Sequence, residues 1–394
     1  MRSPSLLAAL RRPATVRISW LSRSCYSTQK SLALDPLSTQ PKKITEPLRI
    51  LFCGSDDFSC ASLQALFREQ VRTEARHIKS IDVVVRPPKP TGRGNKNLVR
   101  SPLHILAEDK LGIRVHQRDT FTGWNMDFRE LYGNRINLII AVSFGLFVPP
   151  RLIRAAKYGG LNVHPSLLPD LRGPAPIHHA LLLNRQRTGT TLQTLSEESF
   201  DTGTVLQQWP VGIEASDTFE TLLARLTKKS ASILVDGIRR RLYVPPLIPA
   251  GWIPTPEERT HLAHAPKITT EDRRIRWDRP LSVDFIARQH RALGPLWTTM
   301  PSPKKTGEMV RISLDEITLK PPTGEKSPEL LDQRINFGPE NATLWYTAAK
   351  DKAAIWMGID RGKSSPHIRV GKIKVEGGVW CDAWQVVRRF GQVD

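Results

Sequence analysis

The chain has 394 residues, with 58 Lys and Arg against 38 Asp and Glu, giving a formal charge of +20 at pH 7. That length accommodates two globular domains and a tail, and the longest apolar runs, such as 138–142, fall far short of the roughly 20 residues that a membrane-spanning helix needs. Cys25, Cys53, Cys60 and Cys381 make neither a disulfide framework nor a metal-ligand spacing, which sets aside disulfide scaffolds and zinc modules and fits a reducing compartment.

Charge is uneven along the chain. Residues 1–43 hold eight basic side chains against one acid, Asp35. Leu6, Leu7, Ala9 and Leu10 alternate there with Arg11, Arg12 and Arg17, an amphipathic, acid-poor composition of the kind that targets mitochondria. Residues 1–45 are therefore expected to be a transit peptide, imported to the matrix, and stand outside the fold. The remaining body is still strongly basic. Such a surface favours a polyanion, because each Lys or Arg placed on a phosphate releases a counterion; a solvated basic surface without a partner meets the charge equally well.

Leu48–Cys53 predicts a buried strand ending in the turn Gly54-Ser-Asp-Asp57. Phe58, Leu63, Leu66 and Phe67 then share one helical face. Strand, glycine turn and helix open a parallel α/β sheet. Further strands are predicted at Ile81–Val85, Ile113–Val115, Ile136–Val142 and Gly160–Val163, with helices at Pro102–Lys110 and Pro149–Ala156. The strand at Ile136–Val142 is apolar from Leu138 onward and so is expected to be central. A long helix is predicted over Asp217–Arg241, followed by a proline-rich linker, residues 245–265. Beyond a helix at Leu281–Leu293 come short apolar runs at Met309–Leu314, Ala342–Tyr346, Ala353–Met357 and His367–Val375, which predict a small β-rich domain over residues 266–394. The catalytic domain is expected at 46–244.

Chemistry concentrates in Asn162-Val-His164-Pro-Ser166-Leu167-Leu168-Pro169-Asp170-Leu-Arg172-Gly173. Strand alternation puts Asn162 and His164 on one face, at the carboxyl end where open α/β sheets hold ligands. An amide that can donate to an oxyanion beside an imidazole that can carry a proton suits acyl transfer. Singly, each is more often structural. Their combination with Asp201, in the turn Ser199-Phe-Asp-Thr-Gly203, shifts the balance.

This pattern resembles the folate-dependent formyltransferases: Asn-x-His-Pro-Ser-Leu-Leu-Pro-x-x-Arg-Gly, an Asp-Thr-Gly about 30 residues on, and the opening Phe52-Cys-Gly54-Ser-Asp-Asp-Phe58. The resemblance runs from about Leu48 to the C-terminus. It implies a Rossmann-like sheet followed by an oligonucleotide-binding-like β-barrel. It further implies Asn162, His164 and Asp201 as the catalytic trio, a 10-formyltetrahydrofolate pocket lined by Ser166, Leu167, Leu168 and Pro169, and no metal. The amine substrate it implies is the α-amino group of initiator methionyl-tRNA, for organellar translation, handled by a monomer. The basic segment 86–102 resembles the family's tRNA-holding insertion, with Arg93 and Lys96 at its basic centre. Its entry, Val85-Arg-Pro-Pro-Lys89, departs from the family, as do Asp170 and Arg276 at positions where other residue types are usual. Lys267–Asp278 resembles the opening of the family's second domain, whose barrel would offer Lys363, Lys372 and Lys374 to the RNA backbone. A formyl-folate hydrolase, a small-amine formyltransferase or a non-catalytic RNA-binding relative are the alternatives; the first two would lack the basic loop and the last would lack the trio.

Overall fold

The computed structural model describes residues 43–72, 77–91, 97–124, 135–276, 282–302, 307–319, 328, 331, 333–337, 342–358 and 367–390. The expected transit peptide lies almost wholly outside them, as do Arg93, Lys96 and Lys363. Residues 44–394 form one compact unit.

Its elements begin with β1 (Leu48–Gly54), α1 (Asp57–Val71), β2 (Ile78–Val85), the short strands β3 (Lys89–Thr91) and β4 (Asn97–Val99), α2 (Pro102–Ile105), β5 (Val115–Gln117) and β6 (Leu138–Val142). They continue through α3 (Pro150–Ala155), β7 (Gly160–His164), α4 (Pro176–Leu182), β8 (Arg187–Thr194), β9 (Val205–Gly212), α5 (Phe219–Arg239) and α6 (Pro256–Thr260). The second half holds α7 (Val283–Leu293), β10 (Leu296–Pro301), β11 (Met309–Thr318), β12 (Gln333–Phe337), β13 (Ala342–Ala348), β14 (Ile355–Gly358), β15 (Ile368–Val375), β16 (Trp380–Asp382) and α8 (Ala383–Phe390).

The first sheet has the order β5-β2-β1-β6-β7-β8-β9. From β5 to β7 it is parallel; β8 runs antiparallel to β7 and β9 antiparallel to β8. Strand order reverses between β1 and β6, so a crevice opens beyond their carboxyl ends. β6 is buried and apolar along its whole length, and β1 is buried except at Arg49, as strands covered on both faces are. α1 and α5 pack together on one face. In α5, Leu222, Leu226, Ile233, Leu234 and Ile238 are all buried, each removal from water contributing about 1.5–3 kcal/mol. Thr218 caps α5 through a reciprocal box with Thr221, so the helix starts later than the apolar spacing predicts. Asp217, outside it, pairs instead with Arg225.

Two other expectations shift. The predicted helix Pro102–Lys110 is α-helical only to Ile105 and continues as a π-turn, Leu106–Lys110. The strand expected at Ile113–Val115 begins at Val115; the Ile113 amide donates to Ala107 O at 2.8 Å, tying that residue to the preceding turn.

The second sheet is antiparallel, in the order β10-β11-β15-β14-β13-β12, with β16 on β15. Its edge strands β10 and β12 approach one another, giving a half-barrel. α7 packs against both β10 and β11 and against α4 of the first sheet's layer.

The linker is not free chain. After α6 it runs along the loop that follows β7: Leu171 N donates to Ala263 O at 2.8 Å, Ala265 N to Arg172 O at 2.7 Å and Ala175 N to Ala265 O at 3.1 Å. Ala265 is buried with Leu171 and Ala180.

Candidate functional site

β7 pairs with β6 on one side and β8 on the other, which puts Asn162 beside Ala141 and opposite Gln193, and His164 opposite Thr191. A bulge at Leu192/Gln193 in β8 breaks the ladder next to these residues, as bulges near functional sites do. The β8–β9 turn then folds back over the end of β7. It can do so only because Gly203 presses on the backbone: a Cβ there would sit 1.8 Å from Thr194 O. Asp201 occupies the turn with φ 58°, a left-handed conformation that aspartate tolerates better than most side chains.

Sequence-distant groups thus converge on one carboxylate. Asp201 Oδ1 accepts from Asn162 Nδ2 at 3.2 Å and from Gln193 Nε2 at 3.4 Å, and lies 3.3 Å from His164 Nδ1. Asp201 Oδ2 accepts from the Gly173 amide at 2.9 Å. The other imidazole nitrogen, His164 Nε2, is 3.0 Å from Leu171 O. Both ring nitrogens therefore face oxygens that can only accept, so the ring has an acceptor for an N–H on either side. His164 is buried, whereas Asn162 is half-buried.

The loop expected to line the folate pocket divides in two. Ser166 and Leu168 are buried: Ser166 Oγ donates to Asp170 O at 2.7 Å, and Thr191 Oγ1 donates to Ser166 O at 2.7 Å. These two hold the loop's shape. Leu167 and Pro169 are half-buried, and Leu167 borders a cavity of about 430 Å³ behind the loop, together with Arg187, Gln208, Trp252 and Leu262.

The loop after β6 leaves from the carboxyl end of that strand, at the switch point. Ser143 turns there with φ 49° and shares a hydrogen bond with Asp56, the cap of α1. Burial pushes the Asp56 carboxyl above its ordinary range, against bonds from Ser59 and Ser143 that favour the charge. Phe147 meets Phe200 edge to face at 5.4 Å, and Phe200 is exposed. A flat ring could lie against such a pair. Burial raises the Cys53 thiol and pushes Cys60 up to about 12, so both favour the neutral thiol. Among the described residues there is no cluster of three or more His, Cys, Asp or Glu that could hold a metal ion.

Residues 48–238 match the family profile described as formyl transferase. Relatives named methionyl-tRNA formyltransferase match much of the chain. That of Geobacillus thermodenitrificans is 36% identical over 59% of this chain and 67% of its own length. That of Ruegeria pomeroyi is 33% identical over 74% of this chain and 88% of its own. The mitochondrial one of Saccharomyces cerevisiae is 31% identical over 80% of this chain and 84% of its own. The chain belongs to the methionyl-tRNA formyltransferase family.

Within a methionyl-tRNA formyltransferase chain, several neighbours of the trio escape a linear reading. Gln193, the Gly173 amide and the Leu171 carbonyl reach Asp201 and His164 only through the sheet register and the loop path. The segment Ser143–Phe147 could have been found, since it follows the one fully apolar central strand and must lie at the switch point. In the second half, Arg311 and Arg274 flank the Trp297 ring, 4.3 and 5.3 Å from its centroid, while its indole N–H donates to Thr270 O at 2.8 Å. Lys372, expected on the RNA side, is engaged by Asp382 at 2.7 Å; Lys374 lies on the same strand, half-buried.

Proposed function

We propose that this enzyme transfers the formyl group of 10-formyltetrahydrofolate to the α-amino group of initiator methionyl-tRNA, in the mitochondrial matrix and as a monomer. The observation that carries the chemistry is the convergence of Asn162, His164 and Asp201 at the carboxyl end of β7, beside the β1/β6 switch point. The mitochondrial assignment is supported by the yeast relative's name and by the basic, acid-poor residues 1–43.

An α-amino group has a pKa of roughly 8, so a usable fraction is neutral near pH 7 and needs little activation. The amine attacks the formyl carbon, and its carbonyl oxygen becomes an alkoxide. Asn162 donates to that oxygen through the N–H not held by Asp201. The proton lost by the attacking nitrogen passes to the His164–Asp201 pair, whose 3.3 Å Nδ1–Oδ1 contact is looser than the 3.0 Å contact to Leu171 O. Returning a proton to the folate nitrogen as its bond to carbon breaks completes the cycle, leaving formyl-methionyl-tRNA and tetrahydrofolate. Phe147 and Phe200 offer apolar walls for the pteridine, with Leu167 and Pro169 on the opposite loop. Arg93 and Lys96 would hold the RNA.

The assay is transfer of labelled formyl to methionyl-tRNA, with free methionine as control. Absence of transfer to methionyl-tRNA by folded protein, or equal use of free methionine, would overturn the reading.

A further inference from the structure

The chain that leads to the second sheet is bonded to Leu171, Arg172 and Ala175 and packs against Gly173, and Leu171 and Gly173 hold both titratable members of the trio. Leu171 presents its carbonyl to His164 Nε2 while its own amide donates to Ala263 O. Leu171 has φ 59°, a left-handed backbone that a branched side chain adopts only under constraint. Arg172 O accepts from Ala265 N. Gly173, whose amide holds Asp201 Oδ2, has φ 120°, and a Cβ there would lie 2.6 Å from Ala265 O. The linker strand therefore sets where the Leu171 carbonyl and the Gly173 amide point.

One side chain anchors that strand to the loop. Asp170 Oδ1 accepts from Ala263 N at 2.9 Å and from Arg185 Nη2 at 3.0 Å, and Arg185 Nη2 also donates to His261 O. Meanwhile Asp170 O accepts from Ser166 Oγ. Asp170 thus ties the loop, the start of β8 and the linker at one point, next to but not touching the reacting groups.

We propose that Asp170 is a positioning residue for formyl transfer: by holding Ala263, it fixes the Leu171 carbonyl that orients His164 and the Gly173 amide that orients Asp201. This rests on the formyl-transfer reading above. It also makes the linker, through which the second half of the chain is joined, part of the catalytic scaffold.

Asp170→Ala removes the acceptor for both donors; Asp170→Asn keeps an oxygen for Ala263 N while losing the charge. The expected result for Asp170→Ala is a fall in kcat of about tenfold to a hundredfold, the scale of a misplacement near 1 Å, with KM for formyl-folate and for methionyl-tRNA unchanged. Asp170→Asn should recover most of the rate. Nitrogen-15 spectra of His164 give a readout independent of turnover: the Nε2 resonance held by Leu171 O should broaden or move in Asp170→Ala and return toward the parent in Asp170→Asn. Parent kcat within twofold and an unmoved His164 resonance in folded Asp170→Ala would overturn the proposal, as would a change confined to melting temperature or KM. If the parent protein fails to formylate methionyl-tRNA, the functional reading fails instead, and the His164 spectra still decide whether Asp170 positions the ring.

Discussion

Replacing Asp201 by Asn tests the geometry of the trio most directly. An asparagine offers one oxygen and one NH2 where the carboxylate offers two oxygens. With its oxygen on the side of Asn162, Gln193 and His164, its NH2 meets the Gly173 amide, a donor against a donor. Losing that one charge-assisted bond costs about 1.5–3 kcal/mol. Turned the other way, the NH2 faces three donors at once, which is worse. The charge itself matters more for the reaction: a cationic His164 at 3.3 Å loses a Coulomb attraction of at most about 5 kcal/mol at an effective dielectric constant of 20. Transfer should therefore slow by roughly 10³–10⁴, the scale of the same exchange in a serine-protease triad. Stability should fall by only about 1.5–3 kcal/mol. Single-turnover formylation measured alongside thermal melting separates the two effects. A folded Asp201→Asn protein working within tenfold of the parent would refute the assignment of Asp201 as the partner of the cationic ring.

Asn162→Ala should lower the single-turnover rate by about 10²–10³, the worth of one oxyanion donor, while methionyl-tRNA affinity stays near that of the parent; a rate loss under threefold would remove Asn162 from the mechanism. Arg93→Ala combined with Lys96→Ala should weaken methionyl-tRNA binding and reduce the slope of log affinity against log salt by about 0.7–0.9 for each phosphate that is no longer neutralised. An unchanged slope and affinity in salt titrations would mean these side chains are merely solvated. His178 supplies a pH prediction. Burial, then the nearby Arg273 charge, lowers it from 6.5 to about 4, and it stacks on Phe219 at 4.0 Å. Between those values the unfolded chain binds a proton that the folded one refuses, so stability falls on acidification from about pH 6.5 toward 4. His178→Gln should flatten that part of the melting-temperature profile, and an identical profile in the variant would assign the dependence elsewhere.

Much of this was legible along the chain because it is local. Apolar runs bounded by glycine and proline marked β1, β2, β6 and β7, and strand alternation alone put Asn162 and His164 on one face at the ligand-binding end. The composition of residues 1–43 set them apart from the fold, and the long signature from Asn162 to Gly173, joined to Asp201, carried the family. What needed the tertiary structure was everything that depends on partners distant in sequence. No spacing rule shows that Gln193 reaches Asp201, because that follows from the β7–β8 register and its bulge. Nor does any local pattern show that the helix at Pro102 widens into a π-turn or that the Ile113 amide bonds back to Ala107 O. Above all, residues 245–265 read as a proline-rich connector, since composition reports flexibility of the isolated chain but not the hydrogen bonds it later makes. Only in the folded molecule do Ala263 and Ala265, unremarkable as letters, lie against Leu171–Gly173 and set the two backbone groups that hold His164 and Asp201.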